Sequence, residues 1–170
     1  MRDPAKHPWV LGRLRVTRAA LEAVHAEARA HYARGEESCG LLVGPAADPA
    51  LLDEAVPFVN RAAKLHALDP ETYPRTAREY FDLDPLKFQR ALEAGEAAGR
   101  PVKVVYHSHL DVGAYFSETD AAAATMAGEP THDVAHLVTS VREGVVDAWA
   151  LFVWDPEARA FVASTIEVGD

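Results

Sequence analysis

Apolar residues recur at helical spacing near the start of the chain. Within residues 17–34 they fall on one face, at Leu21, Val24, Ala28 and Tyr32. Thr17 is a suitable N-cap for this segment, and Gly35 is a suitable residue to end it. The pattern predicts an amphipathic helix over residues 17–34.

Short apolar runs between turn residues predict the strands. They cover residues 37–44, 54–60, 102–106, 135–141, 145–154 and 160–168. Asp84 followed by Pro85 predicts a helix that runs to about Gly99, since an acidic cap followed by proline is a common helix start. A Ser-x-x-acid box formed by Ser117 and Asp120 predicts another, over residues 121–126. This succession predicts an α/β fold in a single domain spanning residues 1–170.

Residues 61–82 interrupt that regular succession. The segment has no clear apolar period, although it contains the aromatic residues Tyr73, Tyr80 and Phe81. Irregular loops of this length are uncommon in compact domains and often serve as lids or binding loops. A solvated insertion that hides one helical turn explains the pattern equally well. Both interpretations stay open on the sequence.

The composition is that of an ordinary globular protein. Of 170 residues, 49% are hydrophobic and 25% are charged. The single cysteine, Cys39, excludes an internal disulfide framework and fits a reducing compartment. No stretch resembles a signal peptide or a membrane span, so we expect a cytoplasmic protein without a membrane partner. The net charge of −9 argues against binding to nucleic acid.

The candidate chemistry lies after the strand at residues 102–106. His107 and His109 are two residues apart, so a continuing strand places both imidazoles on one face. Asp120 follows at the start of the next element and offers a carboxylate as a third ligand. Three protein ligands with an open fourth position are typical of a catalytic zinc ion. The alternative is a pair of packed histidines, with Ser117 and Asp120 as ordinary residues of a helix start.

A zinc hydrolase also needs an acid that is not a metal ligand. Water bound to zinc has a pKa of about 7, and a nearby carboxylate can take its proton as the oxygen attacks. Glu37 is a candidate because it opens a predicted strand beside glycines that allow close approach. Glu36 is chemically equal, and spacing alone does not separate the two acids.

These residues together resemble the JAMM/MPN+ (JAB) family of zinc-dependent isopeptidases. The family pattern is a glutamate before an apolar, glycine-flanked strand, then His-Ser/Thr-His, seven residues, Ser, two residues and Asp. The chain follows this order from about Leu14 to Ile166. The resemblance implies a JAMM/MPN-like fold, with a central mixed β-sheet flanked by helices. Leu110 departs from the pattern, since a proline commonly follows the second histidine.

The resemblance also implies the roles of the site residues. His107, His109 and Asp120 would hold one catalytic zinc ion (Zn²⁺). Glu37, two residues before Cys39-Gly40, would be the general base, and Ser117 would stabilise the oxyanion through its hydroxyl. The enzyme would be a zinc metalloprotease of the isopeptidase type.

The sequence around Ser117, residues 114–120, is similar to that of small bacterial members associated with ubiquitin-like sulfur-carrier proteins. Those members remove adducts from the carrier's C-terminal glycine, so the implied partner is the C-terminal tail of a ubiquitin-like or sulfur-carrier protein. An extended tail of this kind often binds by adding a strand to a sheet edge. We expect residues 61–82 to wall the cleft that receives it.

Three other functions remain compatible with the sequence. A small-molecule zinc amidohydrolase would use similar ligands, although zinc deaminases need a Cys-x-x-Cys pair that this chain lacks. Cys39 would be the nucleophile of a cysteine enzyme. A catalytically silent MPN-type scaffold would bind partner proteins without metal. The remaining histidines are interpreted as structural or surface residues: His7, His25, His31, His66, His132 and His136.

Overall fold

The structure is a computed structural model that describes residues 2–170. Its helices are α1 (Arg18–Ala33), α2 (Ala62–Leu68), α3 (Pro85–Ala98) and α4 (Glu118–Ala124). Its strands are β1 (Leu14–Val16), β2 (Cys39–Val43), β3 (Leu51–Leu52), β4 (Glu54–Phe58), β5 (Val102–Leu110), β6 (Thr125–Met126), β7 (Glu129–Pro130), β8 (Ala135–Arg142), β9 (Val145–Asp155), β10 (Ala160–Ser164) and β11 (Ile166–Val168). A short 3₁₀ helix, Pro8–Leu11, precedes β1.

The central sheet has six strands in the order β10-β9-β8-β5-β2-β4. β5 pairs in parallel with β8 and antiparallel with β2, and the outer pairings are antiparallel. The expected mixed sheet is therefore confirmed. Every residue of β5 is buried, which agrees with the nearly continuous apolar run that predicted this strand.

Helices cover both faces of the sheet. On one face, Val24 of α1 packs into a core with Leu42, Val104 and Tyr106. Gly40 lies against the ring of Tyr106 so closely that a Cβ at this position would overlap the ring, which explains the glycine. On the other face, Phe88 of α3 packs with residues such as Leu41, Val43 and Val105. The predicted α/β architecture with flanking helices is confirmed.

Predicted helix starts agree with the structure. The Thr17 hydroxyl oxygen accepts a hydrogen bond from the Ala20 backbone N–H at 3.1 Å, as expected of an N-cap. The carboxylate of Asp84 likewise accepts from the first N–H groups of α3. The helix predicted at residues 121–126 begins earlier, at Glu118. It also ends earlier, because Thr125–Met126 pairs with Glu129–Pro130 in a small hairpin.

The last predicted strand, at residues 160–168, is wrong as a single element. It consists of β10, which pairs with β9, and β11, which pairs in parallel with β1. Thr165 separates the two strands, and its carbonyl accepts a hydrogen bond from Leu14 N–H at 3.1 Å. The chain thus leaves the central sheet here and joins a second sheet of order β11-β1-β3. The strands β1 and β3 are too short to show an apolar period, so they could not be predicted from the sequence.

Residues 61–82 contain the helix α2, so this part of the chain is not wholly irregular. The rest of the segment returns to the central sheet, where the carbonyl of Ala77 accepts a hydrogen bond from Glu37 N–H at 2.7 Å. The ends of the segment are joined by Arg61, whose guanidinium donates to Asp82 at 2.7 Å.

Within residues 2–170, no helix combines the length and apolar character needed to cross a bilayer.

Candidate metal centre

Three buried side chains meet where β5 approaches α4. The Nε2 atoms of His107 and His109 are 3.2 Å apart. The Oδ2 atom of Asp120 lies 3.1 Å from the first nitrogen and 3.2 Å from the second. The two histidines are on one face of β5 because they alternate along the strand, and Asp120 is the third residue of α4. The structure therefore brings together the three residues that the sequence predicts as metal ligands.

The start of α4 fixes the carboxylate of Asp120. Ser117 N–H donates to Asp120 Oδ2 at 3.0 Å, and Asp120 N–H donates to the Ser117 hydroxyl oxygen at 3.0 Å. This reciprocal pair is a capping box, and the N-terminal helix dipole favours an anion at the same place. The local sequence that begins the helix thus also orients the third ligand.

His107 Nε2, His109 Nε2 and Asp120 Oδ2 form a triangle, and the hydrogen bonds around it favour a cation at its centre. His109 Nδ1 lies 2.9 Å from the carbonyl oxygen of Gly113, and only a protonated nitrogen can donate to that oxygen. In a neutral ring the Nε2 atom of His109 then has a lone pair, which faces Asp120. A tetrahedral ion with bonds of about 2.0–2.2 Å separates its ligand atoms by about 3.3–3.6 Å. The observed separations of 3.1–3.2 Å are slightly shorter, so a small outward shift of the three side chains would admit such an ion.

The pKa values of His107 and Asp120 favour the forms that bind metal. Burial lowers the pKa of His107, so its imidazole is neutral near pH 7. Burial acts to raise the pKa of Asp120, but the facing rings of His107 and His109 outweigh it and hold the pKa well below its usual range. A neutral imidazole and an ionised carboxylate are the forms in which these side chains bind zinc.

Glu37 lies beside this triangle. Cys39 pairs with His107 across β2 and β5, so continuing the register by two residues places Glu37 opposite His109 on the same face. The glutamate is only 4% exposed, and its Oε1 has no hydrogen-bond partner among the described residues. Burial, with the charges of Asp120 and Glu79, raises the pKa of Glu37 to about 9.

The structure separates the two glutamates that the sequence left equal. The carboxylate of Glu36 lies 3.0 Å from His31 Nδ1 and 3.2 Å from Arg34 Nε, at the end of α1. Glu37 is instead buried between β2 and residues 61–82. Its backbone is fixed by Ala77 on one side and by Asn60, whose amide donates to the Glu37 carbonyl at 3.1 Å. Only Glu37 shares a face with the histidines.

Ser117 and Cys39 occupy different environments. The Ser117 oxygen accepts from Asp120 N–H, which leaves its own hydroxyl hydrogen available to donate. Cys39 is fully buried in β2, and burial raises the pKa of its thiol, so the thiol stays protonated near pH 7. A protonated, buried thiol is a poor nucleophile, which argues against the cysteine-enzyme interpretation.

Aromatic rings that the sequence analysis did not assign to the site surround the ligands. Phe81 stacks on His107 with 4.3 Å between ring centroids, and Tyr115 lies edge-on to His109 at 5.0 Å. Phe116 contacts His136 at 4.9 Å. Phe81 lies within residues 61–82, which were expected to wall the cleft, but no period or motif identified this ring individually. Tyr115 and Phe116 directly precede Ser117, and this position in the sequence is the only indication that they would lie near the site.

His136 is buried beside the centre and lines a cavity of about 370 Å³ that Asp120 also lines. Burial lowers the pKa of His136 to about 3, so its ring is neutral near pH 7. The interpretation of this histidine as a structural residue agrees with its burial, but its place next to the metal ligands was not foreseen.

Fold and site together define an α/β protein with a candidate divalent-metal centre of two histidines and one carboxylate. The sequence profile described as prokaryotic homologs of the JAB domain matches residues 17–155. The chain therefore belongs to the prokaryotic JAB family. Comparison with curated proteins gives no match.

Solved structures share the fold. A protein from Desulfitobacterium hafniense, known from a solution structure, aligns with a TM-score of 0.65 at 20% identity, over 92% of this chain and 93% of its own. A protein from Salinibacter ruber aligns with a TM-score of 0.57 at 25% identity, over 92% of each chain. A JAB1/MPN domain protein from Archaeoglobus fulgidus aligns with a TM-score of 0.54 at 16% identity, over 92% of this chain and 100% of its own.

Proposed function

We propose that this protein is a zinc-dependent peptidase or isopeptidase. Its substrate would be the amide bond that follows the C-terminal glycine of a ubiquitin-like or sulfur-carrier protein. The observation that supports this most directly is the convergence of His107, His109 and Asp120 within 3.1–3.2 Å, with Glu37 buried on the same face. The membership of the JAB family supports the same class of chemistry, since that family includes metallo-isopeptidases.

The side chains divide the reaction between them. His107, His109 and Asp120 would hold the metal ion. When bound, zinc lowers the pKa of a water molecule and polarises a carbonyl group. Without metal Glu37 holds its proton near pH 7, but the charge of a bound zinc ion would lower its pKa and favour the carboxylate. Glu37 would then accept a proton from the attacking water as the new C–O bond forms, and return it to the nitrogen as the C–N bond breaks. Ser117 donates its hydroxyl hydrogen to the oxyanion while its oxygen still accepts from α4.

Residues 61–82 support a cleft at this site. Phe81 covers His107, and Ala77 binds the backbone of Glu37, so the segment forms one side of the proposed active site. We expect the substrate tail, whose glycines carry no side chains, to lie between this segment and the end of β5. Deleting the segment should then raise KM for a carrier protein, and an unchanged KM would contradict this role.

The test is cleavage of a ubiquitin-like sulfur-carrier protein that bears a C-terminal amino-acid adduct. Mass spectrometry of the carrier, with and without a zinc chelator, would report the product. We expect chelator-sensitive release that leaves an intact C-terminal glycine. If the protein holds one zinc ion but cleaves no carrier, its substrate belongs to another class, such as a small-molecule amide. Protein without zinc or cleavage would favour the MPN-type scaffold.

Two neighbouring acids provide a matched pair of variants. Glu37→Gln should keep zinc and lose roughly 10²–10⁴-fold in turnover, as expected when a general base is removed. Glu36→Gln should cleave normally, because Glu36 pairs with His31 and Arg34 instead. Normal cleavage by the Glu37 variant, measured with zinc content confirmed, would show that another group is the base.

A further inference from the structure

The cavity of about 370 Å³ next to the metal ligands is not explained by the catalytic residues alone. It lies between α3, α4, β8 and the end of residues 61–82. Its walls are mainly apolar and include Phe81, Phe88, Val105, Phe116, Val134 and Ala124. Asp120 lines the cavity as well, so a group that fills it also lies close to the proposed reaction centre.

The charges around the cavity do not suit a charged occupant. None of the described residues that line it is Lys or Arg. Of its acids, Asp82 already accepts two hydrogen bonds from Arg61, at 2.7 and 2.9 Å, and Asp120 faces the two histidine ligands. A carboxylate in the cavity would have no Lys or Arg in the lining to pair with, and an ammonium group would find both acids already engaged by other side chains.

The size of the cavity suits a single side chain. Ligand pockets commonly measure about 300–1,000 Å³, so this cavity is near the lower end of that range. A whole folded partner cannot enter it, whereas one large apolar side chain with its backbone can. The three phenylalanine rings in its walls provide the apolar surface that such a side chain would contact.

We infer that the cavity binds a large apolar side chain on the amine side of the scissile bond, so that the residue released has a leucine-like or phenylalanine-like side chain. This inference rests on the proposed function, in which the acyl side ends in glycine and has no side chain to fill the cavity. A C–O bond forms from water, and the C–N bond then breaks as Glu37 returns the proton to the nitrogen. The side chain of the amine product occupies the cavity until the product dissociates. The released group is then an α-amino acid or a peptide, joined through its α-nitrogen.

The first experiment uses a sulfur-carrier protein extended by one residue after its C-terminal glycines. The added residue is Leu, Phe, Ala, Glu or Lys, and kcat/KM is measured for each fusion with the zinc-loaded protein. We expect Leu or Phe to exceed Ala by about tenfold or more, because a single methylene group in an apolar pocket changes kcat/KM by roughly 10–200-fold. Glu and Lys should be cleaved no faster than Ala.

Variants of α4 connect the preference to the cavity. Ala124→Leu places a larger side chain in the wall, at a half-buried helix end where leucine has a good helix propensity; an unchanged circular dichroism spectrum is the check that the variant folds. It should lower kcat/KM for the Leu and Phe fusions to the level of the Ala fusion. Ala122→Leu is the control, because Ala122 is exposed on the same helix and does not line this cavity. The control should keep the preference.

A binding measurement that needs no turnover completes the test. Phenylalanine amide and alanine amide are titrated by calorimetry into the wild-type protein and into Ala124→Leu. We expect the phenylalanine compound to bind more tightly to the wild type, by about tenfold, and to lose this advantage in the variant.

The outcomes separate the inference from the proposed function. Cleavage of all fusions at similar rates would overturn the inference and leave the proposed function intact. If no fusion is cleaved, the proposed function fails for this carrier, and calorimetry decides the inference alone. Equal binding of the two amides, or an advantage that survives in Ala124→Leu, overturns it.

Discussion

The strand β5 holds a buried polar group near each end, and the two groups are complementary in their chemistry. Near one end, the Nζ atom of Lys103 donates to the carbonyl oxygens of Pro45, Asp48 and Leu51, each at 2.9 Å. Near the other end, His107, His109 and Asp120 direct two nitrogens and an oxygen at one another. Three donors meet three acceptors at the first site, whereas the second site consists mainly of acceptors.

A change of register explains how Lys103 reaches its partners. β2 and β5 pair at Val43–Val102 and then at Leu42–Val104, so Lys103 faces no residue of β2. Such a bulge re-aims a side chain, here towards Trp9, whose ring centroid is 5.8 Å from Nζ. The histidines lie beyond the bulge, in regular alternation, and face α4 instead.

The comparison shows which buried polar cluster is complete by itself. The ammonium group of Lys103 has three protons for three carbonyls, so the protein satisfies it internally. Asp120 and, in a neutral ring, the lone pair of His109 face the same point. A group of acceptors that folding holds together in a buried place is a candidate binding site for a cation. We expect the two ends of β5 to respond in opposite ways to substitution and to metal.

The largest effect on stability is expected for Lys103→Met. This change leaves three carbonyl groups without their donor, and we expect it to lower the free energy of unfolding by about 3–5 kcal/mol. Urea unfolding of the metal-free protein provides the measurement. Lys87→Met, at an exposed position of α3, is the control and should change stability by less than about 0.5 kcal/mol. A similar small loss in both variants would show that the Lys103 cluster does not support the fold.

Zinc should stabilise the other end of β5. At one hundred times its dissociation constant, a ligand that binds only the folded state adds about 2.7 kcal/mol to the free energy of unfolding. Asp120→Asn should remove this increment, because the amide has no charge to offer the ion. Asp147→Asn should keep it, since Asp147 pairs with Arg142 on the surface. Lys103→Met should also keep the increment if it still folds, and loss of zinc binding there would mean that the two ends are coupled.

The pH dependence of the metal-free protein should reveal the cost of burying Glu37. Its pKa is 4.5 in an ordinary environment and about 9 when folded, so the folded state retains a proton that the unfolded state has released between these values. Stability therefore falls as pH rises through this window. Glu37→Gln does not titrate, so at pH 8 it should be more stable than the wild type by about 1–3 kcal/mol, and nearly equal to it at pH 5.

Glu36→Gln is the matched control for this pH series. It should show the same fall with pH as the wild type, because Glu36 is not buried beside the metal ligands. Unfolding curves recorded every half unit from pH 5 to 9 are sufficient. Parallel curves for the wild type and Glu37→Gln would contradict the raised pKa of Glu37.

Much of the fold and the convergence of His107, His109 and Asp120 could be predicted because the responsible signals are local. The alternation of His107 and His109 fixes a common face, and the box of Ser117 and Asp120 fixes a helix start. Both signals depend on residues that are near in the chain. The helix caps at Thr17 and Asp84 were predictable for the same reason.

What could not be predicted depends on contacts between distant segments. Phe81 reaches His107 only because the whole segment from Arg61 returns to the sheet. The division of residues 160–168 into two strands depends on β1, which lies far away in the sequence. The different environments of Glu36 and Glu37 arise because Glu36 forms ion pairs at the end of α1, whereas Glu37 is buried beside His109. No period or spacing records such contacts.

The smallest expected effect on stability distinguishes the two roles of Ser117. Ser117→Ala removes the N-cap of α4, whose hydrogen bond measures 3.0 Å. Thr17→Ala removes the N-cap of α1, whose hydrogen bond measures 3.1 Å. Each should lower the free energy of unfolding by about 1 kcal/mol. Only Ser117→Ala should also lower kcat, by roughly 10²–10³-fold, because the hydroxyl group would no longer donate to the oxyanion. If both variants cleave the carrier equally well, Ser117 acts at this site as a helix cap and as nothing more.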